Sequence, residues 1–374
     1  MRNVCGLDVH KDSVFMCILK ENGEKIEIKF DVLTPSLDTM CDILTHHEVR
    51  EVAMESTSIY WIPIWRILCE SFDVKLVNPY FIKQLPGRKT DVKDAHWIAL
   101  VLQKELIKGS FVPDPLIQEL RQYGRCIARI KRNLVRSEQN IDLILQRCNI
   151  RLSNYVSNVK GKSMQKVVRA IINGESDPDV LVELIHKRTI NKHGKSIIRD
   201  SLSGVISGAD RMMLRIAREE MDMYERQVEE CYVEMNKICD EHFSEELELL
   251  TTIPGVKEDS AVRIIAEIGT DMEAFASSAS LVSWAGLRPR NEESAGRIKG
   301  RKTLHGNKYL RVLLVQCAWG ASRTIASKFF KRYNSLHKRM NHNKALLANA
   351  RKLLVVIWNI LKFKQPYAPF NEVT

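Results

Sequence analysis

A chain of 374 residues is long enough for two or three domains with cores of their own, and its 45% hydrophobic and 28% charged residues exclude a disordered or collagen-like chain. Nine scattered cysteines without a CxxC pair suggest neither a disulfide framework nor a zinc site, and the best apolar run, Leu353 to Trp358, is far short of the roughly 20 residues that span a bilayer. The N-terminus reaches Asp8 before an apolar signal region can form, so a reducing cytoplasm is the expected location. The net charge of +11 is unevenly placed: residues 1 to 113 carry 14 Lys and Arg against 16 Asp and Glu, residues 114 to 280 carry 24 against 27, and residues 281 to 374 carry 19 against 3.

From residue 3 to about 110, short apolar runs alternate with helical patterns, which predicts an α/β domain that begins with a β-meander. Val4 to Val9, Val14 to Leu19 and Lys25 to Leu33 read as its first strands, and Glu51 to Met54 and Val74 to Val77 as two more. Leu37 to Leu44 and Ile59 to Cys69 have helical spacing, and Thr90 is placed to cap a helix that opens Thr90-Asp91-Val92-Lys93-Asp94.

Residues 114 to about 250 read as helical. Arg121, Arg125, Arg129, Arg132 and Arg136 recur every three or four residues, which puts five guanidinium groups on one helix face that would repel itself without an anion against it. Leu214, Ala217, Met221, Tyr224, Val228, Cys231, Met235 and Ile238 alternate three and four apart, the spacing of a coiled-coil seam that would join two chains. An amphipathic helix folding back on its own domain has the same pattern. Between them, Arg151 to Gly208 is a set of shorter helices punctuated by Gly and Pro, with no motif that assigns a role.

The last segment combines its charge with Trp284, Trp319, Phe329, Phe330, Tyr333 and Trp358, so it has the residues for a core. A folded, strongly basic domain points to a polyanion, most often nucleic acid; a basic face that only aids solubility is the plainer alternative. Ile253-Pro254-Gly255-Val256 ahead of a helix resembles the phosphate-holding turn of a helix-hairpin-helix, although Lys257 stands where that motif has its second Gly and an ordinary capped turn fits as well.

The sharpest constellation is Asp8 in the first strand, Glu55 just after a buried strand, and Asp91 with Asp94 three apart on one helical face. Carboxylates among apolar strand residues are costly unless they hold a cation, and four of them suit the two Mg²⁺ ions of phosphoryl transfer. Capping and strand-end roles are the structural alternative for each one singly.

Gly6-Leu7-Asp8-Val9-His10-Lys11, Met54-Glu55-Ser56-Thr57, Lys89-Thr90-Asp91-Val92-Lys93-Asp94-Ala95, Ile253-Pro254-Gly255-Val256 and Ser283-Trp284-Ala285-Gly286-Leu287-Arg288-Pro289, in this order, resemble the insertion-sequence transposases that join a RuvC-like DEDD domain to a C-terminal serine domain, the bridge-RNA-guided recombinases. The resemblance implies an RNase H-like α/β domain over residues 1–113, an α-helical and coiled-coil connector over 114–250, and a mainly α transposase domain over 251–374. It also implies a structured guide RNA that pairs with donor and target DNA, a homo-oligomer such as a dimer or a dimer of dimers, and a nucleophilic serine.

The matching serine is Ser294, in a basic loop with Arg288, Arg290, Arg297, Lys299, Arg301 and Lys302, charges suited to a pentavalent phosphorane. Without the resemblance it is a loop serine, because no neighbouring His or Asp would activate it. Ala295 stands where many members of the family have glycine. The expected function is RNA-guided cutting and rejoining of DNA through a phosphoserine, with the Arg121 to Arg136 stripe as the RNA surface. A metal-dependent nuclease or junction resolvase, in which the same carboxylates activate water, is the competing reading, and an architectural nucleic-acid binder is a third.

Overall fold

The computed structural model describes residues 2–79, 94–107, 109–156, 158–289, 292–294, 297–300, 303 and 305–368, with backbone alone for 292–294 and 297–300. The chain divides into two compact units, 1–112 and 113–374.

The first unit is built on β1 (Val4–Val9), β2 (Val14–Leu19), β3 (Lys25–Phe30), α1 (Thr34–His46), β4 (Glu51–Glu55), α2 (Trp61–Leu68), β5 (Asp73–Val77) and α3 (Asp94–Gln103). The strands form one mixed sheet in the order β3-β2-β1-β4-β5, with β1, β2 and β3 antiparallel neighbours and β1, β4 and β5 parallel. Strand β1 is apolar at successive positions because both sides of it are covered. On one side Cys5, Leu7 and Val9 meet Leu37, Met40 and Leu44 of α1 and Ile64 and Leu68 of α2. On the other, Val4, Cys17 and Ala53 meet Ala95, Ile98, Ala99 and Leu102 of α3. The edge strand β3 alternates instead, with Lys25, Glu27 and Lys29 outward.

Gly6 lets α3 come down on the sheet. A Cβ at Gly6 would stand 2.2 Å from the carbonyl oxygen of Ala95 and 2.4 Å from the backbone nitrogen of Ala99, contacts that only backbone movement could relieve. Gly6→Val is therefore expected to lower the stability of this unit by about 1–3 kcal/mol and to lift the helix that begins at Asp94. Urea unfolding of the full chain measures the first effect; a midpoint equal to wild type would show that α3 yields freely.

The second unit starts with a pair of long helices, α4 (Pro115–Arg147) and α9 (Gly208–His242), each about 50 Å long. Asp114 caps α4 on the Ile117 amide, and a Ser207–Asp210 capping box starts α9. The helices run antiparallel: Arg147 pairs with Asp210, Ser137 donates to Glu220 at 2.8 Å, and Lys131 donates to Tyr232 at 3.3 Å. Leu214, Ala217, Met221, Met235 and Cys239 are buried within the chain, and the first three share a core with Leu134, Ile141, Ile144 and Leu145 of α4. Of the seam expected to join two chains, Leu214, Ala217, Met221 and Met235 are thus buried within the same chain, while Tyr224, Val228, Cys231 and Ile238 are half-buried.

At the far end of this pair sit α5 (Lys162–Ile172), α6 (Pro178–Val182), α7 (Lys187–His193) and α8 (Lys195–Ser201), whose Met164, Val168, Leu181 and Ile198 complete the same core. The remaining elements are α10 (Ser244–Thr251), α11 (Glu258–Ile268), α12 (Ser278–Trp284), the hairpin β6 (Glu292–Ser294) with β7 (Arg297–Gly300), α13 (Lys308–Ala321), α14 (Lys328–His337) and α15 (His342–Phe363). Helix α15 is the buried centre of this part, and α11 packs on α4. Among the described residues, no helix is long and apolar enough to cross a membrane.

Candidate active site

Strands β1 and β4 pair in parallel as far as Leu7 with Met54, so the next step sets Asp8 beside Glu55 at the carboxyl ends of both strands. The two-residue period puts both side chains on the face that carries Gly6 and Ala53, under the N-terminal end of α3 where Asp94 lies. Asp8 and Asp94 line one cleft of about 460 Å³ together with Phe15, Glu27 and Lys29. Asp8 is 17% exposed and lies 3.1 Å from Nε2 of His10, and Glu55 accepts a hydrogen bond from the Thr57 hydroxyl at 3.4 Å. Asp91 falls outside the described residues. Among those described, no three His, Cys, Asp or Glu side chains lie close enough to hold a metal ion together. The donor set of Asp8, Glu55 and Asp94 is all carboxylate oxygen, which suits a hard divalent cation.

Three residues beside these carboxylates were not singled out from the sequence. The sheet register continues the row from Asp8 to Phe15 on β2 and Lys29 on β3. The Lys29 ammonium stands 5.1 Å from the Phe15 ring centroid, and His10 meets the same ring edge-on at 5.7 Å. Strand alternation in β2 and β3 was the available signal for Phe15 and Lys29, since both share a face with Asp8 once the meander is paired.

Ser294 is in the second unit. It ends β6 and pairs with Arg297, so it belongs to a β-hairpin rather than to the irregular loop expected. The hairpin rises from a closed base. Pro289 bridges Thr303, the Asn307 amide donates to the Trp284 carbonyl at 3.3 Å, and a Cβ on Gly306 would stand 2.2 Å from the Gly286 nitrogen. Arg288 is exposed at the foot of the hairpin. Arg290, Arg301 and Lys302 lie outside the described residues, and for Arg297 and Lys299 the backbone alone is described.

Asn307 connects this base to the arginine stripe. Its side-chain oxygen caps α13 on the Tyr309 and Leu310 amides, while its side-chain nitrogen donates to Glu267 at 2.6 Å. Glu267 is 4% exposed, and Arg121 and Arg125 supply its countercharge. Arg121 also donates to the carbonyl oxygens of Ala266 and Glu267, at 3.3 and 2.7 Å; burial pushes its guanidinium down to about 10, with Glu267 opposing. Arg125 makes 3.4 Å bonds to both carboxylate oxygens and lies over the Tyr309 ring. Arg121 is therefore spent on internal partners, while Arg125 pairs with Glu267 from the surface and Arg129, Arg132 and Arg136 are exposed on α4.

Glu267→Ala leaves Arg121 buried without its carboxylate and is expected to cost about 3 kcal/mol, whereas Glu267→Gln keeps an acceptor for Asn307 and should cost less. Urea unfolding of the full chain compares the two, and equal midpoints for both variants and wild type would remove Glu267 from this role.

The turn between α10 and α11 is formed, with Gly255 at φ +84°. A Cβ there would stand 2.4 Å from Cys317 O and Ala321 N, so the glycine admits α13. Glu258 and Asp259 occupy the first turn of α11, where they repel an anion, so the expected phosphate contact has no support at this turn.

A mixed sheet in this order, with acidic residues at the carboxyl ends of two central parallel strands and at the start of the covering helix, is the architecture of an RNase H-like DEDD domain. Residues 5–150 match the IS110-type DEDD transposase model, and residues 247–334 match the model described as transposase, IS116/IS110/IS902 family. The chain belongs to the IS110/IS116/IS902 transposases, with their DEDD domain and their C-terminal transposase domain. Among curated relatives, the insertion element IS900 uncharacterized 42 kDa protein of Mycobacterium paratuberculosis is 34% identical over 127 residues, 33% of this chain and 31% of that protein. The pilin gene-inverting proteins of Moraxella bovis and Moraxella lacunata are each 29% identical over 134 residues, 34% of this chain and 41% of theirs. The matched part thus spans less than half the length of each relative.

Proposed function

We propose that the protein is a DNA transposase or recombinase that cuts and rejoins donor and target DNA. The observation that carries this reading is the shared cleft of Asp8 and Asp94, with Glu55 on the neighbouring strand, in a chain that also holds the family's C-terminal domain. In this reading Asp8, Glu55, Asp91 and Asp94 hold Mg²⁺. Bound there, the ions would offset charge on the scissile phosphate and acidify a hydroxyl beside it.

Ser294 Oγ loses its proton to water and forms a bond to phosphorus, while the bond to the 3′ oxygen breaks and that oxygen leaves as a hydroxyl. The 5′ end is then held as a phosphoserine. A 3′ hydroxyl of the partner strand displaces Oγ, which takes back a proton, so the phosphodiester is rebuilt without ATP. The pairing of Ser294 with Arg297 supports this role, since it sets the serine in a hairpin of basic sequence. The relatives named as pilin gene-inverting proteins favour DNA rearrangement over plain hydrolysis.

Guidance by a structured RNA belongs to the same reading, with Arg129, Arg132, Arg136, Arg288, Arg290, Arg297, Lys299, Arg301 and Lys302 as contacts to nucleic-acid phosphates. So do a homo-oligomer, a cytoplasmic location and a division into domains at residues 113 and 250. Incubation of the protein, its RNA, Mg²⁺ and labelled donor and target DNA, followed by denaturation, tests the mechanism. Recombinant strands and a protease-sensitive protein–DNA band are expected. Free ends with no such band would transfer the carboxylates to a nuclease or resolvase that activates water.

A further inference from the structure

The helical cap at the end of the α4 and α9 pair contains a cleft of about 1080 Å³ that neither the carboxylates nor the serine uses. Five cations line it: Lys162 and Lys166 on α5, and Lys187, Arg188 and Lys192 on α7. Lys162 with Lys166, and Arg188 with Lys192, are four apart on their helices, a placement of like charge that destabilises a helix unless an anion offsets it. Among the described residues none of the five has an ion pair. Cations elsewhere on the same cap do: Lys160 with Glu138 at 2.8 Å, Lys195 with Glu183 at 2.5 Å and Arg199 with Asp179 at 2.5 Å. The carboxylate at the cleft, Glu183, is the one that Lys195 neutralises. Lys160, Lys195 and Arg199, outside the cleft, are thus paired, whereas the five cations that line it stand together without a carboxylate of their own.

At the same cleft, Tyr155 and His193 meet edge to face with ring centroids 5.3 Å apart. A concave basic groove with aromatic rings is the combination that takes a single strand of nucleic acid, charge tracking the phosphates and rings receiving a base. A flat lipid surface would not reach a concave floor. We infer that this cleft binds a single-stranded stretch of nucleic acid through its phosphodiester backbone. The inference does not depend on the nucleophile or on the metal site, and it gives the segment 151–208 a role.

The test uses the full chain and the variant in which Lys162, Lys166, Lys187, Arg188 and Lys192 are each replaced by Gln, with folding checked by circular dichroism. Fluorescence anisotropy with a labelled uridine homopolymer and a labelled thymidine homopolymer is followed across a salt series. Loss of five phosphate contacts should flatten the plot of log affinity against log salt by about 3.5, at ~0.7 per contact on a single strand. Flattening with uridine alone assigns RNA, and flattening with both assigns the shared backbone. The control variant Lys160→Gln and Arg199→Gln should keep the wild-type slope, since those cations lie in ion pairs with carboxylates outside the cleft. The inference is overturned by an unchanged slope in the fivefold variant, by an equal loss per charge in the control, or by a fivefold variant that loses binding to phosphatidylserine vesicles and keeps both homopolymers.

Discussion

Ser294→Ala is expected to abolish both the covalent protein–DNA band and the recombinant product, with strand joining down on the order of 10³-fold or more. A serine that attacks phosphorus must become attached to a DNA end, whereas a site that activates water never does. The substitution removes one oxygen at the end of β6 and leaves the β6–β7 pairing, the Pro289–Thr303 bridge and Asn307 in place, so the base of the hairpin persists. DNA and RNA affinity should stay within a few-fold of wild type, because binding of polyanions is carried by Lys and Arg. Loss of the band with retained affinity therefore identifies the nucleophile. If the alanine variant still joins strands, the serine mechanism is wrong and metal-activated water takes its place.

Strands β1 and β2 were legible to the residue, because Val4–Val9 and Val14–Leu19 are apolar runs between polar turns. The third strand ends at Phe30, three residues before the Leu33 that its pattern predicts. The Asp31 side chain accepts from the Leu33 amide at 2.9 Å, a local turn that frees the chain before Pro35 starts α1. Glu292-Glu293-Ser294 has little β propensity, so its sequence predicts a loop where the structure has a strand. Its strand is defined by pairing with β7, which the residues of β6 alone do not show. The periodicity of the seam was legible but its partner was not, since a repeat of three and four looks the same whether the facing helix is in the same chain or another. The arginine stripe shows the same limit. Its spacing called for an anion, but the anion that Arg121 and Arg125 meet is Glu267, more than 140 residues further along. Gly6 could have been read, since a glycine inside an apolar strand marks a close backbone approach, here that of the helix bearing Asp94.

Asp8→Asn and Asp94→Asn are each expected to reduce strand cleavage on the order of 10³-fold or more while nucleic-acid binding stays near wild type. Asparagine keeps the shape of Asp8 and a hydrogen bond to His10, so the loss isolates the charge. Because the proposed ligands repel one another when no cation lies between them, Asp8→Asn should not destabilise the metal-free protein, whereas Asp94→Asn also loses a carboxylate from the first turn of α3. The stability added by Mg²⁺ is the second readout: a cation that binds only the folded chain raises its melting temperature, and the rise should vanish in Asp8→Asn. Glu27→Gln separates this site from a general acidic cleft, since Glu27 lines the same space from the edge strand but lies outside the proposed ligand set. It should keep both the cleavage and the Mg²⁺-dependent rise. Full cleavage by Asp8→Asn and Asp94→Asn in Mg²⁺ would sink the carboxylate site, whereas a lost Mg²⁺ effect with an intact Ser294 adduct would leave the nucleophile standing and confine the metal to structure.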